Sequence, residues 1–287
     1  MSLPLQLALG IVLSGLIAFA AYKRGSLSRS GVLGAMIVGT AIFGFGGWAW
    51  GLVLITFFVL SSLLSKYKEA LKEQVAAEKF DKGSQRDLGQ ALANAGAGAL
   101  IAVLFYFIPD TRLLAAFVGA MATVNADTWA TEIGVLSKQS PRLITTWQRV
   151  EPGTSGGVSV QGTLATLAGG LVIGLAAFGL IALEGVLGGA GFARYGGSIG
   201  SLALPLLGIA ALGGLAGSLF DSLLGATLQA IYWSEPRQKE TEKRIDPDGT
   251  PNRLLRGFRW LNNDLVNFTS SAFGGLVAAL VWMLAAS

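Results

Sequence analysis

The chain has 287 residues, 52% of them hydrophobic and only 13% charged, about half the charged fraction of a soluble domain. It contains no cysteine and no histidine, which excludes disulfides, thiolate or imidazole metal sites, the Ser-His-Asp triad and imidazole proton shuttles. The net charge of +4 sits in short loops beside long apolar stretches, a topological signal rather than a nucleic-acid footprint, so an all-α polytopic integral membrane bundle is expected.

Eight spans are predicted, with about 20 apolar residues needed for each crossing. The first, 3–22, lacks a charged leading segment and a small-x-small cleavage site, and reads as a retained helix. Residues 31–65 read as two short helices meeting near Gly46 and Gly47. The fourth span is 88–108, ended by Pro109, and the fifth is 113–135. The sixth is 157–180 and the eighth 264–285. The seventh stretch, 198–233, is too long for one simple helix and holds Pro205 and several glycines, so it reads as one long or broken helix. An external N-terminus and a single crossing by 198–233 place all four basic loops on the cytoplasmic side. The loops 66–87, 136–157 and 234–261 are therefore expected to be cytoplasmic. The last of these reads as a polar surface loop with no assigned chemistry.

Ionisable groups inside a membrane are costly and mark function. Asn94, Asn125, Asp127, Glu132, Asp221, Asp264 and Asn267 lie on predicted spans. All but Asn125 are placed by this topology in one layer near the cytoplasmic side. Carboxylates and amides are hard oxygen ligands suited to Mg²⁺, and carboxylates sharing a cavity need a cation or protons between them. Packing contacts, a proton relay or a cation pathway are competing readings of the same residues. The loop 151–159, EPGTSGGVS, precedes the sixth span. Its small residues can present amides at a helix start, an anion site without a Walker A lysine, or can form a plain capped turn. Lys82 and Arg86 in one loop, and Lys138 in another, read either as positive charge for phosphate or as solvated interface charges that set topology.

Six stretches together resemble the transmembrane protein 19 family, also called the domain-of-unknown-function 92 family. They are GSLSRSGVLGAMIVG (25–39), FDKGSQRDLGQALANAG (80–96), NADTWATEIG (125–134), EPGTSGGVS (151–159), GSLFDSLLGA (217–226) and NNDLVN (262–267). Plant members of that family include phytyl-phosphate kinase. A looser similarity links Asp127-x-x-Ala130-x-x-x-Gly134-x-x-x-Lys138 and the 151–159 loop to phytol and dolichol kinases, which commonly use CTP. Here Pro152, Gly153 and Gly156 enlarge the turn, and Arg149-Val150 replaces the usual Lys-Ser.

The resemblance implies a membrane kinase that moves a phosphoryl group from CTP or ATP to phytyl or another polyprenyl monophosphate. Under it, Asp127, Asp221 and Asp264 hold Mg²⁺, with Glu132 assisting at the catalytic layer. Lys82, Arg86, Lys138, Glu151, Thr154, Ser155, Gly156 and Gly157 bind the nucleotide, with Asn94, Asn125 and Asn267. The expected partners are the bilayer, the lipid phosphate and the nucleotide, in a bacterial or cyanobacterial inner or thylakoid membrane. A lipid-alcohol kinase, a cytidylyltransferase and a cation or small-solute transporter are the alternatives.

Overall fold

The computed structural model describes residues 2–76, 85–137 and 139–286. Eight helices among them are long and apolar enough to cross a membrane. They are α1 (Leu3–Lys23), α2 (Arg29–Ala41, continued by a π-helical turn, Ile42–Gly46), α3 (Trp48–Lys66) and α5 (Leu88–Phe107), followed by α6 (Thr111–Gly134), α7 (Val160–Val186), α8 (Ile199–Thr227) and α9 (Asn263–Ala286). A short α4 (Glu69–Ala76) follows α3. Alternating crossings gather the connecting residues 24–28, 67–68, 85–87, 135–137, 139–159 and 228–262 at one end of the bundle.

Helix α6 is the axis of the bundle. Seventy-two per cent of its apolar window is buried, against 17% for α1 at the periphery. Between helices in lipid there is little hydrophobic drive, so close approach of small residues and interhelical hydrogen bonds must hold them. The sequence provides both. Gly119, Gly213 and Gly274 sit where α6, α8 and α9 meet, and a methyl group on Gly274 would collide with Thr123 Oγ1. Thr123 Oγ1 donates at 2.9 Å to the carbonyl of Gly119 and lies 3.1 Å from that of Gly213 on α8. Gly170 and Gly174 bring α7 onto Ala210 of α8 in the same way. Away from the loop-rich end, Trp50 stacks on Phe117 with ring centroids 4.2 Å apart and donates to Tyr195 Oη at 2.9 Å.

The predicted boundary at Gly46 and Gly47 is the observed one: Gly47 takes φ 95°, which a side chain would resist, and α3 starts immediately after. Two expectations need correction. The sixth helix starts at Val160, where the Ser159 hydroxyl accepts from the Gly162 amide, and continues to Val186, while Gly157–Val158 forms strand β2 against β1 (Arg142–Leu143). The stretch 198–233 is neither broken nor wholly helical. Helix α8 runs unbroken through Pro205, whose missing N–H falls in the second turn, where only one bond is lost. Residues Ile231–Ser234, aromatic and β-branched, leave the helix as β3, the centre of a sheet ordered β4-β3-β5 with Lys239–Thr241 (β4) and Arg253–Arg256 (β5). The segment read as a plain surface loop is thus a folded sheet on the end of the bundle. Gly257, at φ 80°, closes it tightly against the carbonyl of Gln229.

Candidate functional site

At the loop-rich end the helices part around a polar cavity of about 470 Å³. Its wall brings together Asp127, Glu132, Asp221, Asp264, Asn94, Asn267, Arg86 and the turn of Thr154, Ser155, Gly156 and Gly157. These residues come from four transmembrane helices and two loops, yet face one space.

Asp127 on α6 and Asp221 on α8 stand across a helix crossing made narrow by Gly217, where an added methyl would strike Thr123. Ser218 Oγ bonds Asp127 Oδ1 at 3.1 Å, and Asp221 lies one turn further along the same face of α8. The two carboxylates line the same cavity, where like charges repel unless a cation or proton lies between them. Asp221 Oδ2 is buried and has no hydrogen-bond partner among the described residues. A buried carboxylate oxygen without a donor is costly, so this arrangement suits a cation or a proton at that oxygen. Among the described residues no group of three or more carboxylates is placed to hold a metal unaided. The expected trio Asp127, Asp221 and Asp264 is therefore not a self-sufficient metal cage. A Mg²⁺ ion fits the pair nonetheless, since it commonly takes one or two carboxylates and completes its shell with phosphate oxygens and water.

Positive charge enters from α4 and from the chain before α5. Lys72 Nζ pairs with Glu132 Oε2 at 2.5 Å, while Ser65 Oγ donates to Glu132 Oε1 at 2.6 Å. Arg86 donates to Ser61 and Ser62 on α3 at 2.9 Å each, with its guanidinium over the Phe58 ring at 5.6 Å. Burial pulls the Arg86 pKa below its ordinary value, and the charge of Glu132 opposes that shift. Lys82 and Lys138, both expected to meet phosphate, lie outside the described residues.

The 151–159 loop is a pair of consecutive turns. The Thr154 amide bonds the Glu151 carbonyl at 3.2 Å and the Gly157 amide bonds the Thr154 carbonyl at 2.9 Å. Two of the four amides expected to face phosphate are thus engaged within the loop. Gly156, at φ 84°, packs so closely on Ala226 of α8 that a methyl carbon there would sit 2.5 Å from the Ala226 Cβ. That contact seats the loop on the end of α8, over Asp221. Glu151 is exposed and stands outside the cavity wall.

Asn125 also stands apart from the wall, although the sequence grouped it with the binding residues. Its side-chain amide is buried and donates to the Gly169 carbonyl on α7 at 2.8 Å, which makes it an interhelical tie. Two positions separate it from Asp127, and on a helix that turns it to another face.

Several wall residues were not singled out from the sequence: Ser65, Glu69, Lys72, Gln229, Glu242 and Lys243. Glu242 accepts from Ser155 Oγ and Gln229 Nε2 at 2.8 Å each, so the sheet is tied to the 151–159 loop. The run Ile-Tyr-Trp-Ser, a turn and Lys-Glu-Thr carried a hairpin signal that was available in the sequence.

Comparison with known proteins adds a lineage. The family model described as integral membrane protein DUF92 matches residues 12–275. The chain is 36% identical to Protein PGR of Arabidopsis thaliana over 281 residues, covering 92% of both chains. It is 30% identical to an uncharacterised membrane protein of Methanocaldococcus jannaschii, over 97% of this chain and 95% of that one. Protein VTE6, chloroplastic, of Arabidopsis thaliana is 28% identical over 89% of this chain and 65% of its own length. No solved structure matches.

Proposed function

This chain belongs to the integral membrane protein DUF92 family, and from that premise and the polar cavity we propose that it is a membrane isoprenoid-phosphate kinase. The substrate is phytyl phosphate or a related polyprenyl monophosphate, the donor is CTP or ATP with Mg²⁺, and the product is the lipid diphosphate. In the transfer, an oxygen of the lipid phosphate bonds to the γ-phosphorus of the donor as the bond to the β-phosphate oxygen breaks, releasing the nucleoside diphosphate.

The observation that carries the proposal is one cavity holding Asp127 and Asp221 Oδ2, which has no partner among the described residues, beside Arg86, Lys72 and Lys243. Paired carboxylates beside cations suit a Mg-bound polyphosphate facing an anionic acceptor. The acceptor is already an oxyanion, so no strong general base is needed, and positioning with charge neutralisation supplies most of the rate. That accords with a chain that has no histidine. When bound, Mg²⁺ would neutralise charge on the transferring phosphates. Asp127 and Asp221 would hold it from the helices, and Ser218 would fix the Asp127 carboxylate. Lys243 and the 154–157 turn would border the nucleotide. The loop-rich end would face the cytoplasm, where nucleotide is available.

The test is nucleotide-dependent conversion by the purified protein in lipid. Phytyl, farnesyl and geranylgeranyl phosphates should be offered with CTP and with ATP. Turnover of at least one pair is expected, and none across the panel would refute the proposal.

A further inference from the structure

A second, apolar space of about 70 Å³ lies between α1, α2, α3 and α5. Ala18, Ala35, Val38, Phe57, Phe58 and Ala91 are among its walls. Arg86, Gln90 and Asn94 line this slot and also line the polar cavity. The two spaces therefore share a stretch of wall with one cation and two amides. Helix α1, on the slot's outer side, is the least buried of the spans and packs chiefly on α2 and the π-helical turn.

Resting on the reading of the polar cavity given above, we infer that this slot holds the head-proximal part of the acceptor's chain. The acceptor enters from the bilayer beside α1, lays one branched prenyl chain in the slot and sets its phosphate against Arg86. The volume selects the lipid. About 10–15 Å³ of such space holds one water, so the slot takes a short run of carbons in single file and not two acyl chains side by side. Charge selects the head: a guanidinium recognises phosphate oxygens through paired N–H donors, and Gln90 and Asn94 add amides at the same junction. Hydrocarbon gains little by moving from lipid into an apolar slot, so the slot acts by shape and register and not by hydrophobic affinity. A chain seated there sets its phosphate against the residues that also border the polar cavity.

The experiment is photocrosslinking of the intact wild-type protein in lipid nanodiscs with farnesyl monophosphate carrying a diazirine on its second isoprene unit. Adducts are mapped by mass spectrometry. They are expected on the walls of the slot, within 14–18, 35–39, 54–58 and 91–95. Excess plain farnesyl phosphate should suppress them, and didecanoyl phosphatidic acid should not. Adducts confined to α7, α8 or α9, or equal suppression by phosphatidic acid, would overturn the inference. As a second arm, Ala35→Phe fills the slot and should cut adduct yield about tenfold or more in a variant that still unfolds cooperatively. Unchanged yield in that variant overturns the inference too. The two readings fail separately. Slot adducts without diphosphate from any donor would leave the slot and remove the kinase, whereas diphosphate formation with adducts elsewhere would do the reverse.

Discussion

Ser218 on α8 bonds Asp127 on α6 across 3.1 Å, and this contact joins two helices at the polar cavity, while Asp221, one turn further on, has no hydrogen-bond partner for its Oδ2 among the described residues. The bond fixes one carboxylate and leaves the other to a ligand.

Asp221→Asn should lower turnover by about 10²–10³-fold, the range seen when a charge-stabilising group is removed from an active site. Asp127→Asn should do so as well. Because both act on one bound cation, the double variant should lose little more than the worse single one. Steady-state kinetics on the three variants checks this. Multiplicative losses would mean that the aspartates act independently.

Lys72→Met leaves the Glu132 carboxylate with the Ser65 hydroxyl as its remaining side-chain donor among the described residues. Breaking a fully buried pair costs about 3–5 kcal/mol. This one borders an open cavity, with side chains 11% and 20% exposed, so solvent screening reduces the expected loss to roughly 1–3 kcal/mol. Thermal unfolding in detergent measures it. The double variant Lys72→Met/Glu132→Gln should recover part of the loss.

Gly274→Ala should destabilise the bundle by about 1–3 kcal/mol, the usual cost of overpacking, because the methyl meets Thr123 Oγ1. Adding Thr123→Ala removes that hydroxyl and leaves the Gly213 carbonyl, 2.7 Å from the methyl position, as the remaining obstruction. The pair should couple, recovering stability relative to the sum of the single changes. Strict additivity in thermal unfolding would show that the two positions do not touch.

Acid should loosen the sheet before the bundle. The Ser234 hydroxyl, then Asn252 and the charges of Arg237 and Lys243, hold the Asp246 pKa below the usual carboxylate value, against the opposing effect of burial. A depressed folded pKa stabilises above the unfolded pKa of about 4, and that contribution is lost as pH falls through the folded value. Hydrogen exchange over 231–256, corrected for its intrinsic rate, should accelerate below about pH 4. Asp246→Asn should be looser at neutral pH and should largely lose that acid response.

Much of the bundle was legible from hydropathy alone, because hydrocarbon forces each crossing to satisfy its own backbone in a helix. The Gly46–Gly47 break, the fourth span and the eighth could all be read to within about two residues. The end of α8 could not. Residues 228–233 are as apolar as the helix before them, and only the tertiary pairing of β3 with β4 and β5 turns them into strand. Polar residues on spans could be picked out because charge in a membrane is costly, which brought Asp127 and Asp221 forward. Asn125 was grouped with them for the same reason, and periodicity does not say which face of α6 meets Gly169. Lys72 and Glu242 escaped notice because a lysine or glutamate in a polar connection looks like any solvated one until the chain folds it over the cavity.

The most direct measurement follows ³¹P resonances of phytyl phosphate in nanodiscs containing the wild-type protein or Asp221→Asn, with Mg²⁺ and either CTP or ATP. The account predicts that wild-type protein converts the monophosphate signal into the two signals of a diphosphate with matching release of nucleoside diphosphate, and that Asp221→Asn does not. Equal conversion by both proteins would contradict the role given to the cavity. An unchanged monophosphate signal with the wild type, repeated with farnesyl and geranylgeranyl phosphates, would contradict the activity itself.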